Sequence, residues 1–230
     1  MKLYFVRHGH PNYEKDCLTP LGHQHAKAAA ERLKDEGIRR IFSSTHGRAL
    51  ETAAPLAALL GLPVEGCEFM REIRWGAKDG TPLPDDGHPW TLADRMVADG
   101  TPLLADGWEN RPGFSGSRLV PCVQEKAAAL DGWLASLGYI REGAYYRVSP
   151  ALQPGLTVAA FGHGGESAAL LSHLFNLPFP FVCAAMGPDY TGVTIVQLPE
   201  RVGELVAPRF ELMNDARHIR GLETTNIYGL

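Results

Sequence analysis

Two histidines and two arginines in this chain stand where imidazole and guanidinium could act together on a phosphate. The first pair is Arg7-His8-Gly9, directly after the apolar run Leu3-Tyr4-Phe5-Val6. The second histidine closes the run Val158-Ala159-Ala160-Phe161-Gly162 and opens His163-Gly164-Gly165. The second arginine, Arg48, lies just beyond Ile41-Phe42-Ser43-Ser44. Each run reads as a buried strand, which puts each polar group at a strand's carboxyl end, the edge where open α/β sheets bind ligands. Imidazole is a nucleophile near neutral pH, and guanidinium grips phosphate oxygens in a planar fork. The glycines after His163 let a ligand come close to the backbone, and a helix start offers free N–H groups to an anion. Read singly, each piece is ordinary: Arg48 is a helix-surface arginine and His163 a capped strand end. Taken together they can surround one phosphate.

The apolar periodicity supplies the elements that must position them. Residues 2–7 read as a strand. Thr19 is a good N-cap with Pro20 at the first helical position, opening an Ala-rich helix to about Glu36. Residues 38–43 read as strand and 46–60 as helix, with an extended piece from Leu62. Residues 77–119, rich in Gly, Pro, Trp and Asp, read as an irregular insertion with one short helix near 91–98. Pro121 is expected to open a helix to about Leu137. A strand at 144–148, a strand at 156–161 and a helix at 165–175 come next. Strands near 192–198 and 204–212 and a polar tail end the chain. Strands alternating with helices imply one domain over 1–230, a three-layer α/β/α sandwich around a mostly parallel sheet.

With these motifs in place, the chain resembles the histidine phosphatase superfamily, the phosphoglycerate mutase-like proteins of branch 1. The resemblance rests on Arg7-His8-Gly9; on Leu18-Thr19-Pro20-Leu21-Gly22-His23-Gln24-His25-Ala26; on Ser43-Ser44 through Arg48-Ala49 and Thr52-Ala53; on Arg71-Glu72-Ile73 with Gly76 and Gly80; and on His163-Gly164-Gly165. It covers residues 2 to about 175. It implies that His8 attacks phosphorus to give a phosphohistidine, with its other ring nitrogen bonded to a backbone carbonyl. It also implies that Arg7, Arg48, His163 and Gly164 hold the phosphate oxygens. Glu72 is then the general acid that protonates the leaving alcohol. Asp79, Asp85 and Asp86 are alternative acids.

The chain departs from the family pattern in places. His10, Pro11 and Glu14 replace residues usual after the Arg-His-Gly triplet, and Asn12 is the candidate substitute for a usual asparagine. Glu166-Ser167-Ala168 stands where many members carry an arginine. The basic segment with which dedicated mutases hold a bisphosphate cofactor is not evident in 77–119. These departures favour a phosphomonoesterase acting on a small phosphorylated metabolite. The alternatives are a cofactor-dependent phosphoglycerate mutase and a non-catalytic phosphate-binding relative.

Composition narrows the other classes. At 230 residues and net charge −4, nothing in the charge balance points to nucleic acid or an anionic membrane. No run is long and apolar enough to span a bilayer, and the first strand leaves no room for a leader. The four cysteines are scattered, which reads as reduced thiols in a cytoplasmic protein. The pairs His8/His10 and His23/His25 have no acidic cluster beside them, so no metal or other cofactor is expected. Trp133, at helical spacing, reads as core, and Asn214 through Ile219, which resembles a late segment of family phosphatases, is given no role.

Overall fold

The structure, a computed structural model, describes residues 1–222; the last part of the polar tail, 223–230, lies outside the described residues. The chain runs β1 (Lys2–Arg7), β2 (Pro11–Asn12), β3 (Cys17–Leu18), α1 (Pro20–Leu33), β4 (Arg40–Ser44), α2 (Gly47–Leu60) and β5 (Val64–Cys67). After an irregular stretch come α3 (Pro89–Ala98) and α4 (Leu119–Ser136). The rest is β6 (Tyr139–Glu142), β7 (Tyr145–Val148), β8 (Thr157–Gly162), α5 (Gly164–Phe175), α6 (Phe179–Ala185), β9 (Val193–Gln197), β10 (Leu205–Val206) and β11 (Arg209–Asp215).

Six strands form the central sheet in the order β11-β9-β1-β8-β4-β5. β1, β8, β4 and β5 are parallel, and β9 turns antiparallel to β1 and β11. Alternation along β1 sorts its side chains onto two faces. Tyr4 and Val6 join Leu33 of α1, Leu56 of α2 and Phe161 of β8 in one core layer. Leu3 and Phe5 join Leu134 of α4 and Leu170 of α5 in the other. Trp133 is buried against Phe42 and Phe69 in that second layer. The expected three-layer sandwich is therefore the architecture.

Several expected boundaries move. α1 stops at Leu33 rather than near Glu36, because the chain turns through Gly37 at φ +69. α4 begins at Leu119, with Pro121 inside its first turn. β6 and α6 were not expected; β6 forms a hairpin with β7 across Gly143 at φ +58, and α6 packs on α3 and α5. The single strand expected at 204–212 is two. β10 joins β7 and β6 in a small sheet, whereas β11 completes the central one. The insertion holds α3 and short 3-10 turns, tied down by Trp108 against Phe114 and Phe179. The four cysteines are free, and no helix of the described residues is long and apolar enough to cross a membrane.

Candidate active site

β1, β8 and β4 lie side by side and release their chemistry-bearing residues at the same sheet edge. β1 pairs with β8 as far as Arg7 opposite Gly162, so His8 and His163 leave neighbouring strands in register, with ring centroids 5.2 Å apart. β4 ends at Ser44, and α2 begins with Arg48 in its first turn.

His8 is 1% exposed, and its Nδ1 lies 2.7 Å from the Gly9 carbonyl oxygen. A carbonyl only accepts, so Nδ1 carries the proton and Nε2 presents its lone pair. Burial, and next the charge of Arg7, push the imidazole down to about 3, so the ring is neutral at neutral pH. His163 is also fully buried, and its Nε2 shares a 2.8 Å hydrogen bond with Ser44 Oγ. Burial, then His8 and Arg48, hold it well below the ordinary histidine value.

Arg7 is buried, with Nη1 donating to Pro188 O at 2.8 Å and the guanidinium 4.4 Å over the Tyr190 ring. Arg48 is buried too, donating through Nη1 to Asp16 Oδ1 and standing over Tyr13. Arg7 Nε, Arg48 Nε and His163 Nδ1 are buried and have no protein partner. Each such buried orphan costs about 1–3 kcal/mol. One ligand with several acceptor oxygens would satisfy all three.

Glu72 stands at the start of α5. Its Oε1 accepts from the backbone N–H of Ile73 at 2.9 Å and of Glu166 at 2.7 Å, and Oε2 accepts from Gly165 N at 3.4 Å. The two glycines of the His-Gly-Gly motif do different jobs. A Cβ on Gly164 would lie 3.8 Å from Arg7 Nε and 3.9 Å from Trp90, so Gly164 borders the arginine. A Cβ on Gly165 would lie 2.4 Å from Ile73 Cδ1, so Gly165 admits the Glu72 segment rather than a ligand. Before Glu72 opens a cleft of about 680 Å³ lined by His46, Arg48, Arg71, Trp75 and Lys126.

The six residues expected at the site thus gather at one sheet edge. Two of the three alternative acids are engaged elsewhere: Asp79 is exposed and bonded by Thr81 N, and Asp85 pairs with Arg95 of α3 at 2.7 Å, while Asp86 is exposed. Asn12 Oδ1 caps a local turn by accepting from Lys15 N. Among the described residues no cluster of three His, Cys, Asp or Glu could hold a metal.

Sequence reasoning missed four supports. Asp16, at φ +48, accepts from Arg48, from Gly47 N at 2.9 Å and from His46 at 3.1 Å. Burial opposes its ionisation, but these hydrogen bonds hold its carboxyl below the usual range. Ser44 orients His163. Asn214 Oδ1 accepts from Asp189 N at 2.8 Å and its Nδ2 donates to Asp189 Oδ2 at 3.2 Å, which pins the loop whose Pro188 carbonyl holds Arg7. Glu166 is completely buried under the site. Glu166 left a signal as the one charged residue in the helix Gly164–Phe175 apart from a histidine, Ser44 and Asn214 fell in segments that resemble the family, and Asp16 left none.

The fold and these strand-end groups define an α/β protein with buried arginines and histidines gathered at one sheet edge. Residues 3–102 match the family described as histidine phosphatase superfamily (branch 1). Probable phosphoglycerate mutases GpmB of Yersinia pestis and Yersinia pseudotuberculosis are 30% identical over 190 residues, 77% of this chain and 76% of theirs. A mycobacterial glucosyl-3-phosphoglycerate phosphatase complexed with VO3 superposes with TM-score 0.62 at 26% identity, covering 93% of this chain and 98% of that one. Bacillus stearothermophilus YhfR shares the fold at TM-score 0.61 and 22% identity, covering 95% of this chain and 99% of that one. The chain belongs to the histidine phosphatase superfamily, branch 1.

Proposed function

We propose that this protein is a phosphomonoesterase that hydrolyses a small phosphorylated metabolite through a phosphohistidine at His8. The observation that carries the reading is the set of buried, unpartnered donors on Arg7, Arg48 and His163 around a neutral imidazole. His8 Nε2 attacks phosphorus, the N–P bond forms, and the P–O bond to the alcohol breaks. Glu72 gives the departing alkoxide its proton. Water then attacks the phosphohistidine, Glu72 takes up a proton, and His8 is regenerated with release of inorganic phosphate. Arg7, Arg48, His163 and the Gly164 amide hold the non-bridging oxygens and stabilise their charge in the transition state. The alcohol portion occupies the cleft before Glu72.

The likeness to a phosphatase complexed with VO3 supports this reading. The same proposal includes a single catalytic domain over 1–230, in the cytoplasm, acting on a small molecule. The Yersinia relatives named as probable mutases favour the rival, in which phosphoryl passes to a second hydroxyl. Incubation with a panel of phosphate esters, including 3-phosphoglycerate with and without a bisphosphate primer, separates the two. Free phosphate from at least one ester is expected. Isomerised phosphoglycerate without free phosphate makes the protein a mutase, and no product from any ester makes it a binding protein.

A further inference from the structure

Glu166 departs from its surroundings more than any other residue near the site. It lies in the first turn of α5, a helix otherwise made of Gly, Ser, Ala, Leu, Phe and one histidine, and it is 2% exposed. Its side chain turns back under the strand end. Oε2 accepts from His163 N at 3.1 Å and from Ser167 Oγ at 3.2 Å. Gly162 makes this possible, since a Cβ there would lie 2.2 Å from Glu166 Oε2. The backbone of the same residue works in the other direction, its N–H donating to Glu72 Oε1 at 2.7 Å. One residue therefore grips the second histidine with its carboxyl and the candidate general acid with its amide.

We propose that Glu166 is a positioning residue that braces His163 and Glu72 together, and that it does so as a neutral carboxylic acid, so that its ionisation weakens the site's hold on a phosphate dianion. This rests on the phosphatase reading of the site. The groups that face Glu166 are Lys126 of α4, Glu72 before the insertion and His163 at the end of β8. The Lys126 ammonium donates to the carbonyls of Phe69 and Arg71, and its charge still favours the Glu166 carboxylate. Glu72 adds a second acidic group nearby. Burial is the main influence on Glu166 and pushes its carboxyl up to about 8, with Lys126 pulling the other way. A carboxylate formed there would sit behind His163 with little solvent to screen it, and would repel the anion that His163 and the arginines bind.

The test compares the wild-type chain with Glu166→Gln, which keeps the size and an acceptor oxygen but cannot ionise. Affinity for inorganic phosphate is measured by calorimetry from pH 6.5 to 9. Because phosphate titrates identically in both experiments, only the difference between the proteins is read. Near pH 6.5 the two should bind alike. Between pH 7 and 9 the wild type should lose about tenfold more affinity than the variant, the change that one pH unit of coupling produces. Infrared spectra of Glu72→Gln, which removes the other acid at the site, give a second readout that needs no variant at position 166: a buried protonated-carboxyl band present at pH 6.5 should vanish by pH 9. Parallel binding curves, or absence of that band at pH 6.5, overturn the proposal and leave the phosphatase reading untouched. No phosphate binding by the wild type at any pH overturns that reading and the proposal with it.

Discussion

Alanine at position 8 keeps the donors of Arg7, Arg48 and His163 but removes the proposed nucleophile. His8→Ala should therefore still bind inorganic phosphate while kcat falls more than about a hundredfold, roughly 2.7 kcal/mol of barrier. Retention of more than a hundredth of wild-type kcat would rule out covalent catalysis at His8. Glu72→Gln addresses the proton. An alkoxide leaves poorly without one, whereas p-nitrophenolate leaves nearly unaided. General-acid help of roughly 10²–10⁴-fold should thus be lost mainly with alkyl phosphates. Equal losses for alkyl and aryl substrates would make Glu72 a support for α5, a role its two contacts with that helix's first turn also fit. At this scale the sequence was generous with the groups proposed to hold substrate, because imidazole and guanidinium recur at several strand ends in an order that resembles one family. It was silent on Asp16 and gave the Asn214 segment no role, because those roles come from where a turn at φ +48 and a distant strand bring the two residues.

At the scale of elements, the site depends on close backbone approach and on a pinned loop. A Cβ on Gly22 would stand 2.1 Å from the His10 carbonyl oxygen, where α1 packs against the turn that follows His8. Gly22→Ala should cost at least the roughly 1–3 kcal/mol typical of overpacking, read as a lower urea midpoint with unchanged slope. Asn214→Ala frees the loop at 187–192, so Arg7 loses the fixed carbonyl of Pro188. The expected result is a KM for phosphate esters raised severalfold with the urea midpoint little changed, and an unaltered KM would detach Asn214 from the site. The strands that carry the site were legible because parallel strands, buried on both faces, read as continuous apolar runs. β6 and α6, four and seven residues long, were not legible, and two-residue β10 was merged with β11 into one expected strand. Elements so short have too few periods to show a pattern, and their pairing is decided by distant partners.

At the scale of the whole molecule, buried titratable groups shape stability against pH. His8 is held at about 3 in the fold against 6.5 unfolded, and His163 is lowered as well. Below about pH 6.5 the unfolded chain therefore binds more protons than the native one. The stability these rings contribute is present above pH 6.5 and drains away as pH falls. Glu166 has the opposite sign. Its folded value of about 8 lies above the unfolded 4.5, so its contribution is full below 4.5 and is lost as pH rises through 8. With His218, which burial also lowers, these histidines outweigh one glutamate on the acid side, and the glutamate dominates above 6.5. Stability should peak near pH 6.5 and fall toward pH 8 by up to about 1.4 kcal/mol per unit. Urea denaturation across pH 5 to 8.5 would show this, and Glu166→Gln should remove the alkaline fall and steepen the acid limb.

The carboxylate of Asp16 has a bearing on the catalytic cycle as well as on geometry. It ties up one face of Arg48, so the pocket meets its anion with less net positive charge than two full guanidinium groups would give. Each turnover ends with inorganic phosphate in that pocket, and a grip tuned too tight would make its departure the slow step. Asp16 acts in this sense as a counterweight that hastens emptying. An Asp16→Asn enzyme should be more sensitive to product inhibition, with a lower Ki for phosphate, and its progress curves should bend earlier than those of the wild type.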